Sequence, residues 1–369
     1  MRNPRTRSFF FAKSFFFGVA SFKEKSERIR GSPVSTKTML IVITEKIMRN
    51  DFENAARRKN KLSLAAEVFL SVADGLADAL LYGENGENGF LKENVLQSDA
   101  FSDAYTEMRD SLCFESEVPS ETPPETAPFV SSFRKTAERL ASVYLLTAFC
   151  RKRAEAGCPI SVSDFLYDEG EPENSRIAYM RNSYSDAAYS VFSKGISGAS
   201  VLYPSSFSAV CEEVYYGRAG YCILPYESSE EGVLSGFRRL ISKYELKPVL
   251  TCSVVTDAAM QSTTRFALLA KSAVKMNTDG LFPGKALHEY LKITLGGPQE
   301  RASFKVLGAA SLCGLKCTKS ESFPLPWDEG SYSSSLTFSL SGGNPVPFLL
   351  YLSLEVPESE IEGVYTDIL

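Results

Sequence analysis

The chain has 369 residues, a hydrophobic content of 44% and a formal net charge of -5. This length predicts two or three domains, and the hydrophobic content is typical of a folded protein and excludes a disordered one. The slightly acidic balance gives no general basic face, so nucleic acid is not an expected partner.

Cysteine and histidine usage limits the possible chemistry. The eight cysteines include no CxxC pair and lack the spacing of a disulfide framework or a zinc site, which predicts a reduced, cytoplasmic protein without a metal. Cys313 and Cys317 can share a helix face, where packing is the favoured role. Any Ser-His-Asp, Cys-His or multi-His site depends on the single histidine, His288, for which a surface or packing role is favoured.

Residues 1–39 form a basic extension with no acidic residue before Glu24. This composition is typical of a transit peptide or a poor signal sequence, but the apolar run is interrupted by Lys13 and is too short to span a membrane. The alternative is that translation starts near Met39. We expect the extension to be disordered and assign it no function.

Residues 40–170 are predicted to form a helical domain. Apolar residues recur at helical spacing in "KLSLAAEVFLSVADGLADALLYG" and in "SSFRKTAERLASVYLLTAFCRKRAEAG". For the second helix, Ser131 or Ser132 is the predicted N-cap and Gly157 the predicted end. Between the two helices, the acidic and proline-rich residues 115–128 predict a loop or linker.

Residues 175–272 predict an α/β lobe of the Rossmann-like or periplasmic-binding type. Short apolar strands alternate with helices, which predicts a mostly parallel sheet covered on its faces. The predicted helices are 183–192, 206–217 and 232–244, and the predicted strands are "RIAYM", "SVLYP", "YCILPYE", "PVLTCSVV" and "RFALLAK".

Residues 288–369 predict a second, α+β domain. Its elements follow the order βαββαβ, which is the ferredoxin-like arrangement. A small sheet of this kind keeps one face and one edge open for pairing.

The stretch "GYCILPYESSEEGVLSGF", residues 220–237, turns from an apolar strand into carboxylates and hydroxyls. One interpretation is an ordinary strand-to-helix turn in which Glu227, Ser228 and Ser229 cap the next helix. The other is the rim of a ligand site.

Three ordered segments favour the second interpretation, because they resemble prephenate dehydratase with its C-terminal ACT regulatory domain. The stretch "SFSAVCEEVYYGRAGYCILPYESSEEGVLSGFRRLI" resembles the run that contains the family's Pro-Ile-Glu-Asn-Ser motif. "STTRFALLAK" resembles its Thr-Arg-Phe strand, and "GLKCTKSESFPLPW" resembles the Glu-Ser-Arg-Pro stretch of the ACT domain. The resemblance covers residues 176–369.

The resemblance implies a site for prephenate, which loses carbon dioxide and water to give phenylpyruvate. Such a site holds two carboxylates, for which helix N-termini are suited, and needs no cofactor. Thr264 takes the position of the catalytic threonine, and Glu227 is the second catalytic candidate. The implied substrate-binding residues are Arg265, Phe266, Ser185, Ser228 and Ser229. The implied residues for the regulatory ligand of the ACT domain are Glu321, Ser322, Ala302 and Gly314.

The chain departs from the family pattern at four places. "RNSYS" replaces a glycine-rich loop, Ser228 replaces an asparagine, and Phe323 replaces the ACT arginine. In addition, "TDAAMQS" alone joins "KPVLTCSVV" to "TTRFALLA", whereas the family has a complete second lobe at this point.

Three functional hypotheses remain. The favoured one is a non-catalytic relative whose ACT domain senses an aromatic amino acid. The second is an active prephenate dehydratase with a site completed by the N-terminal helices or another subunit, and the third is a structural or partner-binding module. Thr264 and Arg265 could equally be a strand start, and Glu321 and Ser322 ordinary strand residues. We expect phenylalanine or prephenate as ligand, pairing of ACT domains into a homodimer, and no membrane partner. Residues 40–165 show no recognisable chorismate mutase pattern.

Overall fold

The computed structural model describes ten ranges of the chain. They are 72–82, 89–91, 94–112, 127–166, 172, 174–257, 261–274, 276–296, 300–324 and 332–369. For residues 111–112, 127–137, 300–302 and 324 it describes the backbone only. The predicted N-terminal extension, the first half of the first predicted helix and most of the acidic loop 115–128 lie outside these residues. The chain divides into two units, residues 1–160 and 161–369.

The first unit contains three α-helices among its described residues: α1 (72–82), α2 (Asp99–Leu112) and α3 (Ala127–Glu155). Aromatic side chains hold α2 against α3, since the rings of Phe101 and Phe149 are 5.0 Å apart and both are fully buried. The apolar spacing of α3 therefore predicted its buried face correctly.

Helix α3 ends as predicted but begins earlier. Gly157 has φ +78°, and Cys158 N–H donates to the Arg153 carbonyl at 2.9 Å, which is the Schellman arrangement. The predicted cap at Ser131 or Ser132 is wrong, because the helix already starts at Ala127. Pro128 is tolerated in the first turn, where backbone N–H groups need no partner within the helix.

The second unit contains ten strands and five α-helices among its described residues. In chain order they are β1 (Arg176–Ala178), α4 (Ser183–Phe192), β2 (Ser200–Leu202), α5 (Phe207–Tyr215), β3 (Tyr221–Ser228), β4 (Gly232–Val233), α6 (Ser235–Lys243), β5 (Lys247–Asp257), β6 (Ser262–Ala270), β7 (Leu287–Leu295), α7 (Glu300–Leu312), β8 (Lys316–Pro324), β9 (Tyr332–Ser339), α8 (Pro345–Glu355) and β10 (Ser359–Ile368).

All ten strands belong to one sheet, in the order β2-β1-β3-β6-β5-β10-β7-β9-β8, with β4 paired to β3. The sheet is mixed, so the expectation of a mostly parallel sheet is corrected. Only the pairs β1–β2, β1–β3 and β5–β10 are parallel. The strict alternation of strand and helix breaks at β5 and β6, which form an antiparallel pair joined by residues 258–261.

The first half of the sheet is covered on both faces. One core contains Phe192 of α4 together with Phe266 and Leu268 of β6. The opposite core contains Val210 of α5 with Ala267 of β6. Neighbouring residues of β6 therefore point to opposite faces, as strand geometry requires.

The last six elements follow the predicted order βαββαβ, and their strands are arranged β10-β7-β9-β8. Apolar residues of one face form a core with α8, in which the rings of Phe338 and Phe348 are 5.2 Å apart. The other face carries polar side chains, including Lys292, Ser335 and Thr337. Because β10 also pairs with β5, this polar face is continuous with one face of the first half of the sheet.

Candidate functional site

The candidate site is a chain of ion pairs on the polar face of the sheet. Its centre is Glu227 on β3, whose two carboxylate oxygens accept from Arg265 Nη1 at 3.2 Å and from Lys319 Nζ at 2.6 Å. Arg265 lies on the neighbouring strand β6, whereas Lys319 lies on β8 at the far edge of the sheet. The sheet therefore curls until its two halves meet over this face.

A β-bulge directs Glu227 towards this face. The β3–β6 register shifts between Pro225 and Glu227, so Tyr226 is the extra residue. Tyr226 packs against the core on the α5 side, and Glu227 lies opposite Arg265 on the same side. Regular alternation would have placed Tyr226 and Glu227 on opposite faces.

The ion-pair chain continues along β8 to helix α6. Lys319 Nζ also lies 3.1 Å from Glu321, and Glu321 accepts from Arg238 Nη1 at 2.7 Å. These two cations outweigh the effect of burial, which alone would raise the pKa of Glu321, and hold that pKa below its usual range. The Arg238 guanidinium also lies 4.2 Å from the ring centroid of Phe323.

A second, buried pair stands beside this chain. Lys292 of β7 lies 2.5 Å from the Glu362 carboxylate, which also accepts from the Thr294 hydroxyl. Burial acts to lower the pKa of Lys292, but the electrostatic effects of Tyr226 and of Glu362, with the Glu362 hydrogen bond, outweigh burial, and the pKa lies above its usual range. The pKa of Glu362 is likewise lowered, because the Lys292 charge outweighs burial.

Arg265 connects the site to the interior through Asp367. Asp367 is 2% exposed, lies 3.3 Å from Arg265 Nη2 and accepts from the Thr251 hydroxyl at 2.6 Å. His288 lies within β7, opposite Asp367 in register.

Two cavities lie along this face. The large cavity, about 980 Å³, lies between α6 and the C-terminal strands, and Tyr226, Arg238, Lys292 and Phe323 are among its lining residues. The small cavity, about 480 Å³, is lined by residues including Glu227, Arg265, Lys319 and Thr337.

The structure separates the two predicted catalytic residues. Thr264 shares its face of β6 with Phe266, which is 3% exposed and packed in the core beside α4. Ser185, in the first turn of α4, is also buried on this side. Glu227 and Arg265 occupy the opposite face, so the sheet itself lies between Thr264 and Glu227.

The serines that follow Glu227 do not cap a helix, so that interpretation is wrong. The chain turns back through Ser228 and Ser229 into β4, and α6 starts only at Ser235, not at Gly232. Ser228 Oγ accepts from Glu230 N–H at 3.2 Å, and Ser229 Oγ accepts from Thr263 N–H at 2.9 Å. Both serines line the small cavity.

The starts of α4 and α5 are occupied by the chain's own side chains. Asn182 Oδ1 accepts from Tyr184 N–H at 3.0 Å and from Ser185 N–H at 2.9 Å. Ser206 Oγ accepts from Ala209 N–H at 3.2 Å. These N–H groups, which were expected to meet substrate carboxylates, already have acceptors.

The predicted regulatory residues are not brought together. Glu321 lies on the polar face, and Ser322, the next residue of β8, points to the other face and is exposed. Gly314 follows α7, where its backbone contacts Gly343. Ala302 is in α7, and its side chain lies outside the described atoms.

Sequence reasoning missed Lys319, Arg238 and Asp367 as residues of this site. The two-residue spacing of Lys319, Glu321 and Phe323 does indicate one shared strand face. No local signal places Arg238 or Asp367 nearby, because they come from distant elements.

Among the residues that the structure describes, no helix combines the length and apolar character needed to cross a membrane. These residues also contain no group of three or more His, Cys, Asp or Glu side chains placed to hold a metal ion.

Comparisons with known proteins give similarities at the level of structure only. No family model and no curated protein matches the chain. Prephenate dehydratase from Streptococcus mutans is 22% identical with a TM-score of 0.41, covering 52% of this chain and 98% of its own. The prephenate dehydratase from Arthrobacter aurescens in complex with L-Phe is 13% identical with a TM-score of 0.38, and the match covers 52% of this chain and 89% of that enzyme. GqqA, described as a novel type of quorum quenching acylase, is 24% identical with a TM-score of 0.39, and the match covers 52% of this chain and 94% of GqqA. At these TM-scores and identities, no function follows from the likeness.

Proposed function

We propose that this chain is a non-catalytic relative of prephenate dehydratase that binds an aromatic amino acid. The observation that carries the proposal is the separation of Thr264 from Glu227 by the sheet. A catalytic pair must reach one substrate atom together, and groups on opposite faces of a sheet do not.

The state of Glu227 supports the same conclusion. Both of its oxygens already accept from cations of the chain, Arg265 and Lys319, so the carboxylate is engaged within the protein.

Two observations support ligand binding. The three ordered segments that resemble the dehydratase include the ACT stretch around Glu321. The C-terminal strands also keep a polar face beside a cavity of a size usual for small-molecule sites.

The proposal predicts no turnover of prephenate and a thermal response to aromatic amino acids. Purified full-length chain is incubated with prephenate, and phenylpyruvate is followed by absorbance. A ligand at 100 times its Kd stabilises the folded state by about 2.7 kcal/mol, which raises Tm by several degrees.

Two results would contradict it. Phenylpyruvate production that Thr264→Ala abolishes would identify an active enzyme. If none of the twenty amino acids changes Tm, the proposal that the chain binds an aromatic amino acid is refuted.

A further inference from the structure

We propose that the small cavity binds a neutral polyhydroxyl compound of the size of a monosaccharide. This ligand goes beyond the proposed function and does not depend on it, because no described residue lines both cavities. Three features of the small cavity favour such a ligand: its closure by the sheet, its balanced charge and its hydroxyl groups.

The curl of the sheet closes the small cavity on its sides. Each of the seven strands from β3 across the sheet to β8 contributes at least one lining residue. Glu227 and Lys319 come from the two ends of this run, and their ion pair at 2.6 Å joins the ends. The side chains of all seven strands therefore surround one space, as in other curled sheets that hold one small ligand.

A second β-bulge adds a hydroxyl to the cavity wall. The β8–β9 register shifts between Cys317 and Lys319, so Thr318 is the extra residue. Thr318 and Lys319 both line the cavity, although neighbours in a regular strand point to opposite faces. The bulge therefore places a hydroxyl beside the Lys319 ammonium.

The charges at this cavity are balanced within the chain. A continuous series of ion pairs that alternates in sign consists of Asp367, Arg265, Glu227, Lys319, Glu321 and Arg238. Within this series three carboxylates match three cations. A charged ligand would have to displace one of these partners, whereas a neutral ligand would not.

The ion pairs leave hydrogen-bonding capacity for neutral hydroxyl groups. A carboxylate has about four lone-pair sites, and Glu227 uses two of them for cations. An ammonium has three N–H donors, and Lys319 directs two of them at Glu227 and Glu321. As far as the described residues show, Glu227 can accept and Lys319 can donate once more, and a ligand hydroxyl can meet both.

Hydroxyl groups line the cavity from its rim to its floor. Ser229 and Ser253 are exposed, whereas Thr337 and Tyr365 are only 5% and 7% exposed. Ser229 Oγ accepts from Thr263 N–H, so its own O–H remains a donor. The cavity is therefore open to solvent at the serines and offers further hydroxyls at its floor.

Two tyrosine rings give the cavity an apolar surface. Tyr290 and Tyr365 are cross-strand neighbours, and their ring centroids lie 5.5 Å apart. The face of an aromatic ring carries partial negative charge and favours contact with C–H groups. A cyclic polyol carries C–H groups beside its hydroxyls, so it matches both kinds of surface. The volume of about 480 Å³ lies within the usual range of small-molecule sites.

The test is saturation-transfer NMR of the full-length chain with D-glucose, D-galactose, D-ribose and myo-inositol. At least one of these compounds should bind. Ser253→Trp should abolish its binding, because the new ring occupies the cavity from the exposed rim. Ser190→Trp is the matched control, since Ser190 is an exposed serine of α4, which packs on the other side of the sheet, and its Kd should equal that of wild type.

A second pair of variants tests the hydroxyl groups. Thr337→Val keeps the shape of the side chain but removes a hydroxyl, so it should weaken binding about three- to tenfold. Thr366→Val is its control, because Thr366 is equally buried at 5% but follows Tyr365 on β10 and points to the other face. This pair also decides the question if Ser253→Trp does not fold.

Two charged probes test the balance of charge. For a glucose site, D-glucuronate and D-glucosamine keep the sugar ring but add a charge without a partner, and each should bind at least about tenfold more weakly.

Three results would overturn the polyol site: no binding of any of the four neutral compounds, binding that Ser253→Trp and Thr337→Val leave unchanged, or tighter binding of a charged probe than of its neutral parent. Each of these results leaves the proposed function in place, because binding of aromatic amino acids is measured separately.

Discussion

Lys292 is the most deeply buried cation of the polar face, with a side chain that is 7% exposed. Its ion pair with Glu362 costs desolvation of both groups, and the charge that remains after loss of either partner is buried without compensation. The pair is therefore better explained as a fixed part of the cavity wall than as a source of net stability.

Lys292→Met should lower the free energy of unfolding by about 3 to 5 kcal/mol, and the added change Glu362→Gln should restore part of that loss. Because the folded protein lowers the pKa of Glu362, this group adds to the free energy of unfolding at pH values above its unfolded pKa of about 4.3. That stabilisation is lost as the pH falls through the lower pKa of the folded state. Because the folded protein raises the pKa of Lys292, this group also adds to the free energy of unfolding. That stabilisation is lost only as the pH rises above about 10.4 and through the pKa of the folded state.

Urea denaturation of the single and double variants at pH 3, 4 and 7 measures these effects. The cost of Lys292→Met should be largest at pH 7 and shrink in acid. Strictly additive costs for the two substitutions, or an equal cost at every pH, would show that the two groups do not interact.

At the scale of elements, the α7–β8 and β9–α8 turns pack backbone against backbone. A Cβ built on Gly343 would lie 2.1 Å from the Cys313 carbonyl oxygen, and Gly314 has φ +77°. Glycine at both turns lets the βαββαβ half close at this end of its sheet.

Gly343→Ala should therefore destabilise the chain by about 2 to 3 kcal/mol through forced backbone movement. Gly236→Ala is the matched control, because a Cβ there meets nothing within 4 Å, and its effect should stay within about 0.5 kcal/mol. Urea denaturation followed by circular dichroism measures both, and equal effects would refute the packing argument.

At the scale of the whole molecule, pairing of β10 with β5 makes one sheet of the second unit. Ile368, the last residue of β10, belongs to the core that contains Phe192 and Phe266. The C-terminal strand therefore completes the core of the preceding lobe, and the two halves should unfold together. The predicted homodimer stays a prediction.

Ile368→Ala should lower the free energy of opening that hydrogen exchange measures by about 2 to 5 kcal/mol. The decrease should be equal in β3 and β9. Val255→Ala is the control, since Val255 is 58% exposed at the end of β5 and should change neither strand. Mass spectrometry of peptides from the full-length chain gives the measurement. Loss of protection in β9 alone would mean that the halves are independent.

The sequence by itself determined the elements whose periodicity is local: the βαββαβ order, the limits of α4 at Ser183 and Phe192, and the end of α3 at Gly157. These depend on neighbours within a few residues, through caps, glycines and alternation. Only the tertiary structure decided which polar groups meet. The bulge at Tyr226 placed Glu227 beside Arg265, and the curl of the sheet brought Lys319 to Glu227 from 92 residues away. Such contacts depend on strand order and register, and no local pattern encodes them.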